Sequence, residues 1–131
     1  MQNENIRLSL PVNAAYVSAA RLTASSIANR LAFGIDEIED IKVAVSEACT
    51  YIIKRAPVTE VEDFRIMFAP GDNRLTIQIR IPFMIQDDED EMGLVMIKAS
   101  MDDFALQNVT DGDEDGSEMK MTKLHKEMSF D

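Results

Sequence analysis

The stretch Asp111-Gly112-Asp113-Glu114-Asp115-Gly116 sets carboxylates at alternate positions and a glycine after the third. That is how a calcium loop opens: hard oxygen ligands recur at every second residue and the glycine lets the chain turn. A complete loop carries a carboxylate at its twelfth position, which here is Thr122. The segment therefore reads as an acidic hairpin turn. His125, the only histidine, has no serine, cysteine or acid constellation around it and reads as a tail residue. Cys49, the only cysteine, cannot form an internal disulfide. It reads as a small core hydrophobe in a protein of the reducing cytoplasm. The remaining candidate chemistry lies on the polar side of one helix. At about 100° per residue, Glu47 points away from the apolar stripe, with Asp40, Tyr51 and Lys54 near it.

That helix runs from Asp36 to Pro57, which stops it. Its stripe is Ile38, Ile41, Val45, Ala48, Cys49 and Ile52, and Asp36 with Glu39 has capping-box spacing. A strand precedes it, with Ile6, Leu8 and Leu10 alternating with polar residues. Then comes a helix from Asn13 to about Phe33 with the stripe Val17, Ala20, Ala24, Ile27 and Leu31, closed by Gly34. Phe64 to Phe68 and Leu75 to Ile81 alternate as two strands joined by the hairpin turn Pro70-Gly71-Asp72-Asn73. After the acidic run Asp87 to Glu91, Gly93 to Met101 reads as a short helix. A strand begins at Phe104, Asp111 to Ser117 turns, and Met119 to Leu124 is the last strand. The order β-α-α-β-β-α-β-β implies an α+β two-layer sandwich. Its mostly antiparallel, mixed sheet would be backed by helices on one face, with residues 1–131 forming a single domain.

Composition narrows the function. The chain has 131 residues, 46% of them hydrophobic, enough to build one core. No apolar run reaches the length of a membrane span. The net charge is −11. Asp87 to Glu118 carries twelve acids and one base, Lys98, so that segment holds the whole excess and the rest is neutral. Nucleic acid is not an expected partner, because phosphate binding needs a basic surface. The nine methionines read as core filling.

The run Asp36-Glu-Ile-Glu-Asp-Ile-Lys-Val-Ala-Val-Ser-Glu-Ala-Cys-Thr50 resembles the RsbW-type anti-sigma factors and serine kinases of the GHKL ATPase superfamily. Its likeness to SpoIIAB is lesser. Ala15-Tyr16-Val17, Arg21-Leu22-Thr23, Gly93-Leu94, Met101-Asp102, Gln107-Asn108 and Lys120-Met121-Thr122-Lys123 extend the resemblance in order along nearly the whole chain. It implies a sheet backed by helices with ATP and Mg²⁺ held between them. It also implies sequestration of a sigma factor, phosphorylation of a serine on an anti-sigma antagonist, and a role in regulating transcription under stress. A homodimer would follow from the family, and Arg21 would lie where it docks its partners.

The family's nucleotide residues map onto altered positions. Its second helix carries a Glu, the general base, and an Asn four residues on that binds Mg²⁺. Glu47 is kept, but the Asn position is Tyr51, whose phenol is a poor magnesium ligand. The Asp-x-Gly that receives adenine becomes Ile81 and Phe83. Of the glycine-rich turn that cradles phosphate only Gly93 remains, with Asp90 and Glu91 replacing two glycines. No room is left between Met84 and Asp90 for a lid. Ser117 matches a position where the family often has Thr near the adenine. The expectation is an anti-sigma-like binding protein that has lost its cofactor. The alternative is an active ATP-dependent serine kinase resting on Glu47, Gly93 and Ser117.

Overall fold

Each apolar period in the sequence becomes an element in the computed structural model, which describes residues 4–57, 63–86 and 91–126. The strand β1 (Ile6–Leu10) leads through a 3-10 turn (Ala14–Tyr16) to α1 (Val17–Arg30) and α2 (Ile35–Arg55). The hairpin β2 (Phe64–Gly71) and β3 (Arg74–Ile81) follows, then α3 (Met92–Ser100), β4 (Asp103–Asp111) and β5 (Glu114–Leu124). The strands form one sheet in the order β1-β2-β3-β5-β4. The sheet expected to be mostly antiparallel is antiparallel in all four pairings.

Period-two alternation divides the sheet into two faces. Leu75, Ile77, Ile79 and Ile81 of β3 are fully buried, and Phe64, Ile66, Phe68, Met119 and Met121 join them. Ala20, Ala24, Ile27 and Ala28 of α1 and Ile41, Ala44, Val45, Ala48 and Ile52 of α2 belong to the same core. At about 1.5–3 kcal/mol for each large side chain taken from water, the four on β3 outweigh any single polar contact in the molecule. The helix α2 lies between α1 and α3.

The helix ends differ from the sequence expectation. Gly34 does not close α1; it is the N-cap of α2, with an extended backbone at φ −71°. The left-handed residue after α1 is Ala32, at φ 61°. Phe33 N–H donates to the Ala28 carbonyl and Ala32 N–H to that of Asn29, the paired bonds of a Schellman end. Glu37, rather than Glu39, completes the cap of α2, accepting the Gly34 N–H at 2.7 Å. Asn13 does cap as its type suggests, accepting the Ala15 N–H at 2.9 Å.

The expected long turn at Asp111–Ser117 contracts to Gly112 and Asp113, because Asp111 and Glu114 are already paired across the ladder. Gly112 takes φ 66°. Thr110 Oγ1 donates to Asp115 at 3.0 Å, so the acidic segment is a tight hairpin. Among the described residues no cluster of His, Cys, Asp or Glu is arranged to hold a metal ion.

Candidate functional site

The candidate site is built from three elements that meet beside the second half of α2. Glu47 is half-buried there, and its Oε2 is 3.5 Å from where a Cβ on Gly93 would stand. The start of α3 therefore abuts Glu47. Gly93 is buried and its N–H donates to Glu91 Oε2 at 2.6 Å. Glu91 is thus the N-cap of α3. The bare amides that make a helix start a ready anion site here receive a carboxylate from the chain itself, with a second beside it. Asp87 to Asp90 lie outside the described residues, as does therefore most of the Met84 to Asp90 segment expected to be too short for a lid.

One turn beyond Glu47, Tyr51 is only 1% exposed. The helical wheel put it on the polar side. The structure buries it within the apolar core. The guanidinium of Arg55 stacks 3.7 Å from the centre of the Tyr51 ring. Ile81 is fully buried at the end of β3, and Phe83 and Ile85 are buried just after it. All four belong to the single apolar core.

Ser117 faces Ile81 across the β3–β5 ladder and is fully buried. Its hydroxyl donates to the Phe83 carbonyl at 2.8 Å and accepts the Ile85 N–H at 2.9 Å. Asn108 Oδ1 lies 2.9 Å from the same oxygen. The serine thus holds the segment after β3 against the sheet. Gly116 permits this approach, since a Cβ there would collide with the Ile81 carbonyl. The structure therefore sets Glu47 against Gly93, one turn from Tyr51, and separately joins Ser117 to Ile81 and Phe83. Arg21 is apart from them, exposed on α1.

Sequence reasoning missed the polar strap at the other end of α2. His125 is not a loose tail residue. Its Nδ1 lies 2.7 Å from Glu37 Oε1, its ring meets Phe33 edge-on, and its N–H donates to the Asn73 carbonyl. Burial alone would raise the Glu37 carboxyl, but the Lys126 and Gly34 N–H groups and His125 together hold it below its ordinary value. Lys123 binds Asp40 at 2.9 Å and the Ser100 carbonyl at 2.7 Å. Gly34-x-x-Glu37 was a readable cap signal. The contact with His125, 88 residues away, had none. Burial pushes the Cys49 thiol up to about 12, as befits a core residue.

An antiparallel sheet with three helices packed on one side, and a helix start facing a glutamate on the central helix, define a class. Residues 10–81 match the model of the histidine kinase-like ATPase domain, and the chain belongs to that family. Among relatives, the serine-protein kinases RsbW of Bacillus thuringiensis (strain Al Hakam) and Bacillus anthracis are each 33% identical to it. Each alignment covers 92% of this chain and 84% of theirs. RsbW of Bacillus cereus (strain Q1) is 32% identical over the same shares.

Proposed function

We propose that the chain is an RsbW-like anti-sigma regulatory protein that holds a sigma factor or an anti-sigma antagonist without using a nucleotide. The observation that carries this reading is the packing of Tyr51, Ile81 and Phe83, the positions assigned to ATP, into the core. These residues do not fit an adenine nucleotide with Mg²⁺. Ile81 has no acceptor for the purine amino group, and Tyr51 is a poor metal ligand. Glu91 already accepts from the amide that would meet a phosphate. Binding would use the outer face of α1, where Arg21 is exposed beside Tyr16 and Leu22, at 46% and 60%. Exposed aromatic, apolar and arginine side chains together suit a protein partner. The whole chain would act as one cytoplasmic domain, alone or as a homodimer.

Calorimetric titration with ATP and Mg²⁺ tests the proposal. No heat of binding at millimolar ATP is expected; saturable micromolar binding would overturn it. The serine-protein kinase named in the relatives, with Glu47 kept beside Gly93, supports the other reading, an active ATP-dependent serine kinase. Transfer of labelled phosphate from ATP to a serine of a purified antagonist would establish that reading instead.

A further inference from the structure

The helices cover only one face of the sheet. On the other, Arg7, Ser9, Arg65, Met67, Gln78 and Arg80 line a shallow concavity of roughly 370 Å³, with one carboxylate, Glu118, among its lining residues. The ladder sets Arg65 directly opposite Arg80, and Arg7 opposite Met67. Two like charges opposed across strands are unfavourable unless something neutralises them. Glu118 is the ladder partner of Arg80, yet among the described residues none of the three arginines forms an ion pair. The Arg80 guanidinium lies instead over Gly116, 3.3 Å from where a Cβ would be.

We infer that this face docks an acidic, extended segment of a partner protein, whose carboxylates are taken by Arg7, Arg65 and Arg80. Charge complementarity carries the assignment. The chain has a net charge of −11, concentrated between Asp87 and Glu118. An acidic partner is repelled by that region and attracted only where guanidinium groups cluster, which fixes both site and orientation. Arginine suits the task, because its fork meets a carboxylate through two parallel hydrogen bonds. Met67 and the aliphatic stems of the arginines supply an apolar floor for the segment between its charges. The concavity has room for a few side chains, not a folded surface. A nucleic acid, with a charge at every residue, meets the full repulsion of the chain. The face is separated from α1 by the sheet itself, so the site does not depend on the partner proposed for that helix.

The test is fluorescence anisotropy of a labelled oligoglutamate titrated with the full chain at about 50 mM salt, where screening is weak. Saturable binding is expected, weakened roughly tenfold by Arg65→Ser and by Arg80→Ser as a charge-assisted pair is lost. Arg30→Ser, exposed in the last turn of α1 on the helix side of the sheet, leaves it unchanged. Absence of binding, or binding indifferent to Arg65→Ser and Arg80→Ser, overturns the inference. So does preferential binding of a short RNA. Sedimentation velocity supplies the last arm: a dimer dissociated by Arg65→Ser would show that a second copy covers this face, and the inference fails. A chain whose mass is unchanged by that substitution, with the peptide bound, supports it.

Discussion

The two ends of the helix–sheet interface treat polar groups in opposite ways. At the Glu37 end, polar groups from distant parts of the chain meet and satisfy one another: Glu37 with the Gly34 and Lys126 N–H groups and His125, and Lys123 with Asp40. At the Glu47 end, where the family's nucleotide residues map, the space holds Tyr51, Ile81, Phe83 and Ile85. Its polar groups hold the backbone: Ser117 fixes Phe83 and Ile85, and Glu91 caps α3. A site built for a ligand keeps its donors and acceptors pointed at empty space and gives up stability for it. Here the same positions contribute apolar burial and internal hydrogen bonds, which stabilise the fold and leave few groups for a ligand.

Substituting Tyr51→Asn, which restores the family's residue type, is the most severe way to break this contrast. It empties a fully packed position and is expected to lower stability by about 3 kcal/mol in urea denaturation. ATP with Mg²⁺ should produce no compensating rise in melting temperature, because Ile81 and Phe83 remain; a clear rise would reverse the comparison. Ser117→Ala leaves the buried Phe83 carbonyl without its donor, at an expected cost of about 1–3 kcal/mol. Hydrogen exchange should show the Ile85 amide losing protection while the amides of β1 do not change.

The strap at the other end is probed by pH. The folded Glu37 carboxyl lies below its ordinary value of 4.5. A group depressed on folding contributes stability above its unfolded value and loses it as pH falls through the folded one. Glu37→Gln should therefore flatten the loss of stability below about pH 4.5, and cost about 1 kcal/mol at neutral pH through weaker hydrogen bonds. An acid limb identical to that of the parent chain would separate the strap from acid unfolding. The smallest effect is expected on the open face. Arg65→Thr removes a like-charge pair and should raise stability by about 0.2–1 kcal/mol, seen as a higher melting temperature.

Much of this was legible in advance. The order of elements followed from apolar periods, and the run from Asp36 to Thr50 pointed to the family before any coordinate. The assignment of altered nucleotide positions rests on residue type alone, because a substitution such as Asn to Tyr changes chemistry in a way that a residue type declares. Turns and caps were less legible. Gly34 caps α2 instead of closing α1, and Ala32 takes the left-handed position, since either helix end can take a glycine and only the chain path decides which. The hairpin at Gly112 was shorter than its acidic run suggested, because cross-strand pairing extends as far as the ladder allows.

The amino-acid sequence by itself determined the α+β layering and the membership of the histidine kinase-like ATPase family. Those are statements about residue type and period, and local chemistry carries them. Only the tertiary structure decided that Tyr51 is interior, since its burial depends on what packs over the polar side of α2. Only the tertiary structure decided that His125 binds Glu37 and that Arg65 stands opposite Arg80. Glu37 and His125 lie 88 residues apart, and no local preference of either names the other; Arg65 and Arg80 are hairpin neighbours whose opposition is fixed by the register of the ladder.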